Sequence, residues 1–142
     1  MQAASLFAAY AAAFESSYED DDWTRLEAFF MPDAAYIVSG GPPLGGRWVG
    51  NSEVIEQLRY AVNELDRRFE KRRVEAVGQP EISDTTFEMG WRATYEKKGC
   101  PDLVIGGREI ATFEGQRIAT LVDEMDDGVD ESIQEYLARY FE

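Results

Sequence analysis

Two carboxylates stand out as residues that could do chemistry. Glu109 lies in Arg108-Glu-Ile-Ala-Thr-Phe113, where alternation puts Glu109, Ala111 and Phe113 on one side of a strand. Asp123 follows Ile118-Ala-Thr-Leu-Val in the next strand-like run. A carboxyl facing an apolar hollow keeps its proton above the ordinary carboxylate range, so it serves as acid or base near neutral pH. Two orientations are open for Glu109: inward with Ala111 and Phe113, or outward if Gly106-Gly107 forms a bulge that shifts the register. Asp123 carries the same alternative, because Glu124, Asp126 and Asp127 crowd the same strand end and most of them must be solvated.

Other chemistries are excluded by composition. The chain contains no histidine, which removes Ser-His-Asp and Cys-His catalysis, histidine-ligated zinc and histidine bases. Cys100 is the only cysteine; it sits in a Lys-Gly-Cys-Pro turn with nothing to activate it, and no internal disulfide can form. No metal or cofactor is implied. With 28 acidic against 14 basic residues, the net charge of −14 repels phosphate backbones and anionic membrane surfaces. Nucleic acid and membrane are therefore not expected as partners, and the N-terminal run reads as a helix, not a leader, which makes the cytoplasm the default location. Arg67, Arg68, Lys71, Arg72 and Arg73 form the one basic cluster. It reads as a solvated helix end with its cations at the C-terminal dipole, with a small anion site as the alternative.

The elements that must hold these residues are legible from periodicity. Leu6, Phe7, Tyr10, Phe14 and Tyr18 recur at helical spacing between about Ala4 and Tyr18. Trp23 to Met31 repeats the pattern and is expected to stop at Pro32. Ala34 to Ser39 reads as a strand, and Gly40 to Gly46 as a connection or rim loop. Val54, Ile55, Leu58, Val62, Leu65 and Phe69 mark a third helix after Asn51. Strands are expected over Arg72–Glu81, Phe87–Glu96, Leu103–Phe113 and Arg117–Met125, and a last helix over Glu131–Phe141. Helices gathered on one face of an antiparallel sheet define an α+β domain spanning 1–142.

The block Trp23-Thr-Arg-Leu26-Glu-Ala-Phe29-Phe30-Met-Pro32-Asp33-Ala34-Ala-Tyr36 resembles the opening of the nuclear transport factor 2-like superfamily, in its SnoaL-like and ketosteroid isomerase-like branch. Arg108 to Leu121 resembles its closing hairpin, and Trp48-Val-Gly50-Asn-Ser-Glu-Val-Ile55 its approach to the third helix. The resemblance implies a cone-shaped, strongly curved antiparallel sheet with three N-terminal helices on its concave side, a C-terminal helix, and a homodimer through the outer face of the sheet. In the isomerase pattern, a helix tyrosine falls on Phe14, the base on Val38 and the hairpin acid on Glu109; a one-turn shift brings in Tyr10 or Tyr18. The epoxide hydrolase pattern is met in part, by Asp123 and Arg92-Ala93-Thr94, with Glu88 or Glu96 as substitute acids.

These readings converge on a small apolar ligand in a cone-shaped pocket, with Glu109 and Asp123 available for isomerase, cyclase or hydrolase chemistry. Phe14, Tyr18, Phe30, Tyr36, Trp48 and Trp91 are the expected ligand-binding residues. The alternative is a non-catalytic interaction or assembly module of the same fold. The C-terminal helix discriminates: if Ile133, Leu137 and Phe141 plug the cone, no pocket remains.

Overall fold

The computed structural model describes residues 2–141, so Met1 and Glu142 of the expected span lie outside the described residues. Helix α1 (Gln2–Asp20) leads through a short 3-10 helix (Thr24–Phe29) into strand β1 (Phe30–Val38) and strand β2 (Gly46–Val49). Helix α2 (Asn51–Glu64) and a 3-10 turn (Asp66–Arg68) precede strands β3 (Lys71–Ile82), β4 (Thr86–Glu96), β5 (Leu103–Glu114) and β6 (Arg117–Met125). Helix α3 (Val129–Tyr140) ends the chain. The α+β architecture is as the sequence implies. The curved six-stranded sheet has the order β2-β1-β6-β5-β4-β3 and is mixed, because β1 runs parallel to β6.

Three local expectations are corrected. The segment expected as a helix from Trp23 to Met31 is helical only as the 3-10 stretch Thr24–Phe29, and Phe30 already belongs to β1. Pro32 does not stop a helix; it sits inside β1, where the register against β6 shifts between Phe30 and Ala35. An irregular stretch tolerates a residue with no N–H to give the ladder. The run Gly40–Gly46 ends in a strand, since Gly46–Val49 pairs with β1 as Trp48 meets Tyr36.

Gly106 and Gly107 form no bulge. They stay in register with Arg92 and Trp91 of β4. Gly107 is required for a different reason: a Cβ there would lie 2.3 Å from the Glu124 carbonyl oxygen. The bulge in this hairpin lies at its other end. Phe113 pairs with Ile118 but Thr112 with Thr120, leaving Ala119 as the extra residue on β6. The extra residue flips the alternation, so Ile118 and Leu121 are both wholly buried although they are three apart. Asp123 then follows Leu121 onto the concave face.

Two apolar clusters cover that face. One gathers α1, the 3-10 segment, β1 and α2 around Leu26, Phe30, Val54 and Leu121. The other packs α3, through Val129, Ile133 and Tyr136, onto Phe69, Tyr95, Leu103 and Ile105. Leu44 and Met125 touch both. The rim loop is tied to α3, since the Gly41 N–H donates to Asp130 Oδ2 at 2.8 Å. Helix α3 therefore packs on the second cluster and does not fill the hollow.

Candidate active site

A cavity of about 320 Å³ remains between the helices and the sheet. Its walls are mainly apolar, with Phe7, Phe14, Leu58, Val62, Met89 and Trp91 among them, and no residue of α3 lines it. Glu109 and Asp123 reach it from adjacent strands. They are direct cross-strand partners in the β5–β6 ladder. The Ala119 bulge makes them so: continued from the Phe113–Ile118 pairing, an unbroken ladder would set Glu109 opposite Val122.

As cross-strand partners the two carboxyls face each other within reach of a shared proton. The Tyr36 hydroxyl donates to Asp123 Oδ2 at 2.8 Å. Asp123 is only 8% exposed, whereas Glu109 is half-buried and lines the cavity. None of the ion pairs among the described residues involves either acid. Burial without a cation pushes Glu109 well above the usual carboxyl range, and the neighbouring charge and hydrogen bond of Asp123 push it further. Asp123 is raised by burial too, but hydrogen bonds from Glu109 and Tyr36 oppose the rise. Tyr36 and Tyr10 are raised chiefly by burial and then by the charges of both acids, so their hydroxyls stay protonated.

A second polar cluster stands in the same cavity wall. Asp66 Oδ2 lies 2.9 Å from Arg72 Nε, and the Tyr95 hydroxyl donates to Asp66 Oδ1 at 3.2 Å. The outer edge of Arg72 donates to both carboxylate oxygens of Glu15, at 3.0 and 3.2 Å. Burial lifts Asp66 to about 6, against the opposing pull of Arg72 and Tyr95. Arg72, with two carboxylates against one desolvation cost, is held even more firmly as a cation. The basic run is thus not uniformly a solvated helix end. Arg67, Arg68 and Arg73 make exposed pairs with Asp21, Glu64 and Glu96, but the Arg72 side chain is largely buried at the cavity edge, beside the exposed Val74 and Ala76.

The expected site residues fall into two groups. Glu109, Asp123, Phe14, Tyr36 and Trp91 line the cavity. Phe30 is instead a fully buried core residue, stacked edge-on against Tyr10. Trp48 packs behind Tyr36 at 5.8 Å, on the strand β2 that the sequence hides. Tyr18 covers the Arg72 guanidinium at 4.6 Å and does not line the hollow. Tyr10, one turn before Phe14, is the helix tyrosine that senses both acids. Val38 carries no acid, but its register partner on β6 is Asp123. Arg92 pairs with Glu75, Glu88 with Arg108 and Glu96 with Arg73, away from the two acids, so no arginine stands beside the carboxyl pair. Among the described residues no cluster of His, Cys, Asp or Glu fits a metal ion, and no helix is long and apolar enough to cross a membrane.

No family model matches the sequence, and no curated protein does. Solved structures do. Bal32a, from a soil-derived mobile gene cassette, is 17% identical with a TM-score of 0.69, over 96% of this chain and 98% of its own. An NTF2-like protein from Anabaena variabilis is 12% identical with a TM-score of 0.69, over 89% of this chain and 90% of its own. The chain has the nuclear transport factor 2-like fold. A SnoaL-like family member from Agrobacterium tumefaciens is similar as well, 19% identical with a TM-score of 0.63, over 88% of this chain and 97% of its own. At such identities the NTF2-like likeness fixes the architecture, and the chemistry must be argued from the cavity.

Proposed function

We propose that the cavity takes up a small, largely apolar molecule and that Glu109 and Asp123 move a proton on it, with no metal or cofactor. The observation that carries this reading is the series Tyr36–Asp123–Glu109, in which the tyrosine donates to Asp123 and the two acids are cross-strand partners, ending in an apolar hollow with no cation beside it. Two carboxyls in such contact hold one proton between them. Burial and the Asp123 charge both favour neutral Glu109, while Asp123, with two donors, is the ionised partner. A neutral carboxylic acid facing the ligand can give its proton to a carbonyl or hydroxyl oxygen. The carboxylate left behind is the base for the C–H that this protonation has acidified, and its raised pKa favours the transfer. Accepting a different proton from that carbon makes Glu109 neutral again; the ligand oxygen has gained one proton and the carbon has lost one, an isomerisation with no net proton change. Activity would fall as pH rises through the raised Glu109 value, because the acid form is then lost.

What favours this over a non-catalytic interaction module is the tail helix: α3 lines none of the cavity. Epoxide hydrolysis is the weaker variant, since the arginine it needs is paired with Glu75 elsewhere. A homodimer through the outer sheet face and a cytoplasmic location complete the reading; sedimentation of the purified chain tests the first.

The test is titration with apolar ketones and alcohols, followed by the Trp91 indole resonance and by melting temperature. Saturable shifts are expected, with binding kept and turnover lost in Glu109→Gln. A panel that moves neither signal overturns the proposal.

A further inference from the structure

We infer that Arg72, at the rim of the cavity, is the anchor for a ligand carboxylate, so that the molecule taken up is an elongated apolar carboxylic acid. This rests on the cavity being a ligand site and names the class of ligand. Arg72 is built as a receptor. Its side chain is only 11% exposed, its Nε lies 2.9 Å from Asp66 Oδ2 as an ion pair without hydrogen-bond alignment, and the Tyr18 ring covers it. Asp66 is in turn held by Tyr95. The guanidinium is thus fixed from the inside, independently of what meets its outer edge.

That outer edge is occupied by a side chain that is easily displaced. Glu15 takes both terminal nitrogens in the two-pronged geometry of a bound carboxylate. Its side chain is 54% exposed and comes from α1 across the cavity opening, where Val74, Glu75 and Ala76 are also exposed. An ion pair with one partner so exposed contributes little to stability. Exchanging Glu15 for a ligand carboxylate keeps the local charge constant and returns Glu15 to water. The overall acidity of the protein is therefore no obstacle at this point.

The ladder sets the length of the ligand. Arg72 is level with Tyr95 and Leu103, whereas Glu109 is level with Met89 and Asp123. Six residues of β5 separate the two levels, a strand distance of roughly 20 Å that sheet curvature shortens across the hollow. Between them the wall is Trp91, Ala93 and Ile105. A molecule with a carboxylate at one end and an apolar body would lie along that stripe and present its far end to Glu109.

The test compares 8-phenyloctanoate, 8-phenyloctanol and 8-phenyloctylamine by calorimetry on the full chain. The carboxylate should bind about tenfold more tightly than the alcohol, the worth of one charge-assisted, two-pronged contact. Glu15→Gln should strengthen carboxylate binding and leave the alcohol unchanged. Arg72→Lys, which keeps the charge and loses the fork, should erase most of the preference. An alcohol or amine that binds the wild-type protein as tightly as the acid overturns this inference and leaves the proton-transfer reading standing. If none of the three binds, both fall.

Discussion

One cavity holds two buried carboxyl clusters, and they are neutralised in opposite ways. At the rim, Asp66 is matched by a cation: Arg72 at 2.9 Å, with Tyr95 and Glu15 completing the network. At the floor, Glu109 and Asp123 have only each other and Tyr36. Burial raises the carboxyls in both places, but Arg72 pulls Asp66 back to about 6, while nothing comparable acts on Glu109. A buried acid must be compensated by a counter-charge or by a proton. The rim uses the first; the floor has no cation and is left with the second, which is the state the proposed proton transfer needs.

The comparison can be broken most directly at Arg72. Arg72→Met leaves Asp66 buried without its cation and should cost about 3–5 kcal/mol in chemical denaturation. A loss below 1 kcal/mol, by the same scale of buried ion pairs, would mean that the rim is not charge-compensated. Next in size is Tyr36→Phe, which removes the hydroxyl donor from buried Asp123 and should cost about 1–3 kcal/mol. Tyr95→Phe removes a longer bond from an acid that keeps its arginine and should cost less.

A smaller effect, of opposite sign, is expected at the floor. Glu109 has a higher pKa folded than unfolded, so folding takes up a proton. Its contribution is fully favourable only below the ordinary carboxyl range and becomes unfavourable as pH rises above it. Glu109→Gln carries no such penalty. It should gain about 0.5–2 kcal/mol at pH 8, in the manner of stabilising changes at strained functional sites, and nothing near pH 4. Equal gains at both values would place the Glu109 proton elsewhere. Asp66 gives the sharpest pH mark. Its carboxyl carbon should titrate at about 6 by NMR, against an ordinary value of 3.8. Stability from that group is complete below the lower value and falls as pH rises through the higher one. Smallest of all, Glu75→Gln breaks an exposed pair with Arg92 and should leave the denaturation midpoint in place.

Much of the fold was legible because local pattern and final burial agree. The helical spacing of Val54, Leu58 and Val62 predicts the buried side of α2. The alternation of Ala93 and Tyr95 predicts the inward side of β4. Local pattern failed where the chain is irregular. Pro32 imitates a helix stop, yet a register shift admits it into β1. Four residues, Gly46–Val49, are too few to show a strand period. Arg72 was grouped with its basic neighbours because charge clusters in sequence say nothing of which member turns inward.

The sequence by itself determined the α+β class and the absence of imidazole chemistry, and it singled out Glu109 and Asp123 as candidate acids, since these depend on composition and short-range periodicity. Tertiary structure alone decided that the two acids meet. The parallel β1–β6 pairing brings Tyr36 to Asp123 across 87 residues of chain, and one extra residue at Ala119 turns Asp123 onto the concave face, opposite Glu109. Strand partners far apart in the chain and the position of a bulge follow from packing of the whole sheet, so no window of sequence contains them.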